Sequence, residues 1–76
     1  METYRLPSRL LERVRYDPAE MMLEVSFRSG EIYCYAGVPR VVLDGLVHPP
    51  DGSYGRFFKA HIRGVYPRER IEDASA

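Results

Sequence analysis

The sequence has one cysteine, two histidines and no tryptophan, and these small numbers exclude several kinds of site. The single thiol, Cys34, cannot form an intramolecular disulfide, and one cysteine with two histidines cannot complete a zinc site unless carboxylates join it. We therefore expect no metal and no cofactor. A hydrophobic core alone must hold a chain of 76 residues, a length at which one core is only just sufficient.

Long apolar runs are also missing from the sequence. No segment approaches the roughly 20 apolar residues that a membrane-spanning helix needs, and the N-terminus has arginines but no continuous apolar stretch. These features predict a soluble, cytoplasmic protein with no membrane partner. The composition, 45% hydrophobic and 29% charged, is that of an ordered globular chain. We expect a single domain over residues 1–76, with its core at about 8–66 and a tail at 67–76.

Charge of one sign is not in excess, because eleven basic residues balance eleven acidic ones. This balance argues against a field strong enough to bind nucleic acid indiscriminately. The distribution is uneven, since residues 17–55 are net acidic and residues 56–70 are net basic. Every basic residue except Lys59 is an arginine, whose planar guanidinium suits contacts with phosphate and stacking on aromatic or base planes.

Alternating apolar residues predict a three-stranded antiparallel meander between Leu11 and Ala36. The first two strands, residues 11–16 and 21–27, are joined by a turn at 17–20, and the third follows Ser29-Gly30. A two-residue loop at Ser29-Gly30 pairs Phe27 with Ile32. From there each residue further back in the second strand pairs with the next residue along the third. This register places Leu23, Val25, Phe27, Ile32, Cys34 and Ala36 on one face of the sheet, and Glu24, Ser26, Tyr33 and Tyr35 on the other.

Two short helices are expected after the meander. Proline and glycine bound the first, at residues 39–45. Ser53 is the candidate N-cap of the second, which runs from Tyr54 to Arg63 and ends at Gly64. Residues 65–67 have room for a short C-terminal strand, and residues 72–76 are expected to fray. The predicted fold class is α+β, with the helices packed on the sheet.

Several short motifs occur in a characteristic order: Tyr16-Asp17-Pro18, the strand LEVSFRSG, Tyr33-Cys34-Tyr35, Gly37-Val38-Pro39, SYGRFF and Ile62-Arg63. In this order they resemble the KTSC domain, a family that occurs at the C-terminus of some lysyl-tRNA synthetases and as free-standing bacterial proteins. The family has no established biochemical activity, and its link to a tRNA synthetase implies RNA binding. Two features depart from its pattern: the loop over residues 48–52 is longer, and Lys59 stands where asparagine is frequent.

Tyr33 and Tyr35 raise two alternatives. In the register above they lie beside Glu24, away from the aliphatic set, and Arg13 joins them if Val14 pairs with Leu23. Aromatic rings flanked by arginines on a sheet can stack the bases of single-stranded RNA. The alternative is that a helix covers this face and the rings belong to the core, an interpretation that the small size of the protein favours.

The predicted second helix carries the most basic surface. Arg56, Lys59 and Arg63 lie on one stripe of it, a pattern that suits phosphate contacts and is equally typical of a solvated helix face. Ser53, Gly55 and Arg56 at the helix start are a candidate anion site, because free backbone N–H groups attract anions. The alternative is a capped turn that merely begins the helix.

We identify no catalytic residues, because no acid–base pair, nucleophile motif or metal cluster stands out in the sequence. Cys34 is expected in the core as an unreactive thiol. The first hypothesis is a non-enzymatic module that binds RNA through Arg56, Lys59 and Arg63, with Tyr33 or Tyr35 contributing if exposed. The second is a protein–protein interaction module with no nucleic-acid role. The sequence leaves the oligomeric state open.

Overall fold

Within the described part of the chain, five strands form one antiparallel sheet whose spatial order follows the order of the chain. The computed structural model describes residues 1–71, so the predicted fraying of 72–76 lies outside the described residues. The elements in chain order are β1 (Glu2–Arg5), β2 (Leu11–Asp17), β3 (Met22–Phe27), β4 (Ile32–Tyr35), α1 (Arg40–Val47), α2 (Tyr54–His61) and β5 (Arg68–Ile71). The α+β class is confirmed, but the sheet has two more strands than the predicted meander, and the C-terminal strand lies at 68–71 instead of 65–67.

Strand β1 was not predicted because Tyr4 is its only apolar residue, which leaves no alternation of apolar side chains. It pairs along β2, from Glu2 opposite Tyr16 to Arg5 opposite Arg13. The Glu2 carboxylate accepts two hydrogen bonds of 2.7 Å from the Arg40 guanidinium. This bidentate pair ties the first strand to α1, a tertiary contact that local sequence patterns do not reveal.

The hairpin between β3 and β4 has a three-residue loop, so the predicted two-residue loop is wrong. Phe27 N–H donates to Glu31 O at 2.8 Å, and Gly30 N–H donates back to Phe27 O at 3.0 Å. Gly30 has a left-handed backbone, with φ of 99°. A two-residue type I′ turn requires positive φ at both central residues, which Ser29 disfavours, whereas a three-residue loop requires it only at the last position.

The longer loop shifts the register of β4 by one residue. Tyr33 pairs with Val25 and Tyr35 with Leu23, so both tyrosines share a face with the aliphatic residues of β3. Arg13 and Glu24, which the sequence placed beside the tyrosines, lie on the opposite face. Arg13 is opposite Ser26, and Val14 pairs with Val25 instead of Leu23. The predicted assignment of the two faces is therefore wrong for β4.

The helices cover the face that carries the tyrosines, and the core lies between them and the sheet. Tyr16 is buried there, and its hydroxyl donates a 2.7 Å hydrogen bond to Val38 O. The buried hydrophobic residues are Leu6, Leu11, Val14, Tyr16, Leu23, Val25, Tyr35, Val38, Leu43, Leu46, Phe58 and Ile62. The expected burial of Leu23 and Val25 is confirmed.

Both helices differ in length from the prediction. Helix α1 extends to Val47, so Gly45 lies inside the helix instead of ending it. The Phe57 ring packs against Gly45 in the space that a β-carbon would fill. Helix α2 begins after Ser53, whose hydroxyl accepts from Arg56 N–H as expected of an N-cap. It ends at His61, two residues before Arg63, because two successive N–H groups share Phe58 O as acceptor.

The other face of the sheet has no helix on it among the described residues. Cys34 lies there, half-buried, opposite Glu24 and Glu69, so its predicted place in the core is wrong. Burial and, to a lesser degree, the two carboxylates raise the pKa of its thiol. Both effects favour the protonated form of the thiol.

Candidate functional site

A cavity of about 270 Å³ opens between the β3–β4 loop, α2 and β5. We call it the aromatic cavity, because three of its walls are the rings of Phe27, Tyr33 and Phe58. It lies on the helix side of the sheet, at the end of the molecule where the loop after β3 meets the chain leaving α2. Its remaining lining residues are Leu10, Ser29, Glu31, Arg63 and Arg68.

The rings are locked in place by edge-to-face contacts. Phe27 contacts Tyr33 and Phe58 with ring centroids 5.9 and 5.4 Å apart, and Tyr35 contacts Phe58 at 5.7 Å. Distances and angles of this kind are those that aromatic pairs prefer. The walls of the aromatic cavity are therefore continuous with the packed core, which makes the cavity a preformed feature.

Tyr33 is half-buried and forms part of the aromatic cavity wall. The guanidinium carbon of Arg68 lies 4.4 Å from the centroid of its ring, in cation–π geometry. One face of Tyr33 is thus already covered by a planar cation. A ligand that approaches along this direction meets the guanidinium plane of Arg68 first.

Tyr35 is fully buried, so the condition of exposure under which we assigned it a binding role is not met. Its hydroxyl lies beside Arg68 and raises the pKa of that guanidinium. The two groups do not meet with hydrogen-bond geometry, and the Tyr35 hydroxyl has no hydrogen-bond partner among the described residues. Tyr35 therefore supports the aromatic cavity from behind without lining it.

One carboxylate, Glu31, faces the two arginines of the aromatic cavity. It accepts hydrogen bonds from the hydroxyls of Ser29 at 3.4 Å and Tyr33 at 3.3 Å. These are long for bonds to a charged oxygen, which typically measure about 2.5–2.7 Å. Within residues 1–71 no ion pair joins Glu31 to Arg63 or Arg68. Charges of both signs thus line the same space without forming a direct ion pair.

The predicted basic stripe is divided between two sites. Arg63 lines the aromatic cavity, whereas Arg56 and Lys59 line a more open depression next to it. Leu10 lines both concavities, which therefore adjoin each other. Arg63 lies beyond the end of α2, so the three residues do not form one stripe of a helix. They do lie along one continuous side of the protein.

The candidate anion site at the start of α2 already has a carboxylate in it. Asp51 accepts from Ser53 N–H at 2.9 Å and pairs with Arg56 at 3.2 Å. The backbone hydrogen bond from Ser53 lowers the pKa of Asp51, so the carboxylate stays charged. Ser53, Gly55 and Arg56 lie together as expected, but an incoming anion must displace Asp51. Arg56 is consequently less available to phosphate than Lys59 or Arg63, which have no ion pair among the described residues.

Six lining residues of the aromatic cavity were not among the predicted site residues: Leu10, Phe27, Ser29, Glu31, Phe58 and Arg68. Phe27 was assigned only to the core face of the sheet, and Glu31 was given no binding role. The serine–glycine turn could have revealed the place of Glu31, because glycine at the last position of a three-residue loop puts Glu31 and Tyr33 on the same sheet face as Phe27. The position of Arg68 depends on a β5 pairing that no local pattern predicts.

Neither histidine lines the aromatic cavity. His61 stacks on Phe57 with centroids 4.4 Å apart on the far side of α2. Among residues 1–71, no group of three histidine, cysteine, aspartate or glutamate side chains is placed to hold a metal ion. No helix in this part of the chain is long and apolar enough to cross a membrane.

Comparison with known proteins assigns the family. A protein of Stutzerimonas stutzeri is 40% identical over 58 residues, which cover 76% of this chain and 79% of that protein. A lysine–tRNA ligase of Nostoc sp. is 34% identical over 61 residues, 80% of this chain but 10% of the ligase. The crystal structure of a KTSC domain protein from Yersinia pestis superposes with a TM-score of 0.85 at 31% identity, covering 93% of this chain and 97% of that one. The model of the KTSC domain matches residues 7–66, and the chain therefore belongs to the KTSC domain family.

Proposed function

We propose that this domain is a non-enzymatic module that binds single-stranded RNA along the side formed by Lys59, Arg63 and the aromatic cavity. The observation that carries the proposal is the continuity of exposed cations with an aromatic-walled cavity, joined at Leu10. Single-stranded RNA offers phosphates for the cations and unstacked bases for the aromatic and guanidinium planes. The similarity to part of a lysine–tRNA ligase supports an RNA ligand.

The cations are expected to contribute unequally. Lys59 and Arg63 are exposed and have no ion pair among the described residues, whereas Asp51 partly neutralises Arg56. Phosphate contacts by Lys59 and Arg63 release counterions from the RNA, so the affinity should fall steeply with salt. Tyr35 contributes no direct contact in this proposal, and Tyr33 contributes through the wall of the aromatic cavity.

A salt titration tests the proposal. The affinity of the protein for short unstructured RNA is measured by fluorescence anisotropy over a range of salt concentrations. Lys59→Gln and Arg63→Gln should each reduce the slope of log affinity against log salt by about 0.7, the value for one phosphate contact on a single strand. Arg5→Gln is the matched control, because Arg5 is exposed on β1, the edge strand farthest from β5. It should leave the slope unchanged.

Two results would overturn this function. One is a wild-type protein that shows no affinity for RNA at low salt. The other is a control Arg5→Gln that flattens the slope as much as Arg63→Gln, which would indicate attraction without a defined site.

Binding to a protein is the alternative. No helix or strand among the described residues carries more than one exposed large apolar residue, which weakens this alternative. These residues are Met1, Met21, Val41, Val65 and Ile71. A stoichiometric protein partner retained by Lys59→Gln and Arg63→Gln would favour the alternative.

A further inference from the structure

The size of the aromatic cavity limits its ligand to a small planar group. At about 270 Å³ it lies near the lower end of the roughly 300–1,000 Å³ that small-molecule sites occupy. The walls are aromatic, and the guanidinium carbon of Arg68 lies 4.4 Å from the centroid of the Tyr33 ring, which adds a planar cation to the stacking surfaces of the cavity. Nucleobases stack on both aromatic rings and guanidinium planes, so one unpaired base is a ligand of suitable size and shape.

Glu31 determines which base edge can be recognised. Its carboxylate only accepts hydrogen bonds, and its two present bonds to Ser29 and Tyr33 are long. An ionised carboxylate has two oxygens and prefers two neighbouring donors. Guanine presents such a pair at its Watson–Crick edge, the ring N1–H and the exocyclic amino group. The same edge of adenine has an amino donor beside an acceptor nitrogen, and that acceptor would face the carboxylate.

The arginines of the cavity provide the positive charge that a nucleotide phosphate requires. Arg63 and Arg68 line the cavity without pairing to Glu31 within residues 1–71. A nucleotide carries both complements, donors on the base and a negative phosphate on the backbone. We propose, building on the RNA-binding function above, that the aromatic cavity holds one unpaired guanine, with its Watson–Crick edge on Glu31, its ring stacked on Arg68 and its phosphate on Arg63.

The test uses oligouridine RNAs that differ at one central base. The wild-type protein should bind the guanine-containing RNA about tenfold more tightly than the adenine-containing one, the usual discrimination of a bidentate contact to a base edge. Inosine lacks the exocyclic amino group and should fall between the two. Glu31→Gln should reduce the ratio of guanine to adenine affinity to about one, because an amide offers one acceptor and introduces donors.

Glu69→Gln is the matched control. It removes one carboxylate from β5, on the sheet face opposite the aromatic cavity, and should keep the preference for guanine. Circular dichroism and thermal unfolding of both variants verify that they are folded, so that a lost preference reports on the contact. Titration with GMP alone separates the sources of guanine. GMP should compete weakly, because it lacks the neighbouring phosphates of a strand.

The outcomes distinguish the two proposals. If the wild-type protein binds RNA with the expected salt dependence but without a preference for guanine, the guanine site is refuted and the RNA-binding function survives. If no oligonucleotide binds at low salt, the RNA-binding function itself is refuted. If GMP competes as strongly as the oligonucleotide, the cavity is a site for a free nucleotide and its assignment to RNA is wrong.

Discussion

Tyr16 and Tyr35 are both buried, so replacing each by phenylalanine compares a hydroxyl that has a hydrogen-bond partner with one that has none among the described residues. Tyr16 is 1% exposed and donates to Val38 O, whereas Tyr35 is 0% exposed and its hydroxyl has no partner among the described residues. Tyr16→Phe removes a hydrogen bond with a net value of about 1 kcal/mol and leaves a buried carbonyl unsatisfied at a further cost. We expect it to lower the free energy of unfolding by about 1–2 kcal/mol. Tyr35→Phe removes a desolvated hydroxyl, so the change should lie between zero and a gain of about 1 kcal/mol.

Thermal and urea unfolding of the two variants measure this difference. For a domain of this size, 1 kcal/mol corresponds to roughly 4–8 °C in melting temperature, so the expected separation of the two variants is easily resolved. Each variant removes a single oxygen from a tyrosine in the same core, so each serves as the control for the other. Equal losses of stability would refute the reasoning, because the Tyr35 hydroxyl would then be hydrogen-bonded in solution. A loss that disappears in an Arg68→Gln background would identify its partner.

Two further predictions concern α1. Hydrogen bonds from Arg40 hold the pKa of Glu2 at about 2, below its ordinary value of 4.5, so the stability that the pair contributes is fully present above pH 4.5 and lost as the pH falls towards 2. The melting temperature of Glu2→Gln should therefore lie below that of the wild type at neutral pH and converge with it at pH 2, and a gap of the same size at both pH values would contradict this. Gly45→Ala gains about 1 kcal/mol of helix propensity but places a β-carbon in steric conflict with the Phe57 ring, which should cost about 1–3 kcal/mol. Urea unfolding should show net destabilisation in the wild type and a gain in a Phe57→Ala background; a gain in both would show that the ring moves aside freely.

The sequence predicted the strands β2 and β3 and both helices because their apolar periodicity and end signals are local. Ser53, for example, caps α2 through its own neighbour Arg56. The register of β4 could not be derived in the same way, since one additional loop residue leaves the alternation of the strand intact and reverses which side faces the core. β1 and β5 contain one apolar residue each and so have no apolar alternation, and tertiary contacts determine their existence.

The candidate site was predictable to a lesser extent than the fold. The basic residues Lys59 and Arg63 were identified from their spacing, and they do lie on one side of the molecule. Their relation to an aromatic cavity could not be predicted, because the cavity brings together Leu10, Phe27 and Arg68 from three separate parts of the chain. The sequence left open whether Tyr33 and Tyr35 are exposed or belong to the core. The three-residue loop that ends at Gly30 places both on the core face of the sheet.

The chain-order arrangement of the sheet has a consequence for how the protein folds. Strands β2, β3 and β4 each follow the strand they pair with after a short connection, so their pairing closes small loops at low entropic cost. β5 differs, because both helices lie in the segment that precedes it. Its docking closes the largest loop, and the cavity wall that Arg68 supplies is then completed last. The same strand should be the first to detach in local opening, so ligand affinity and protection of β5 amides from hydrogen exchange should rise and fall together.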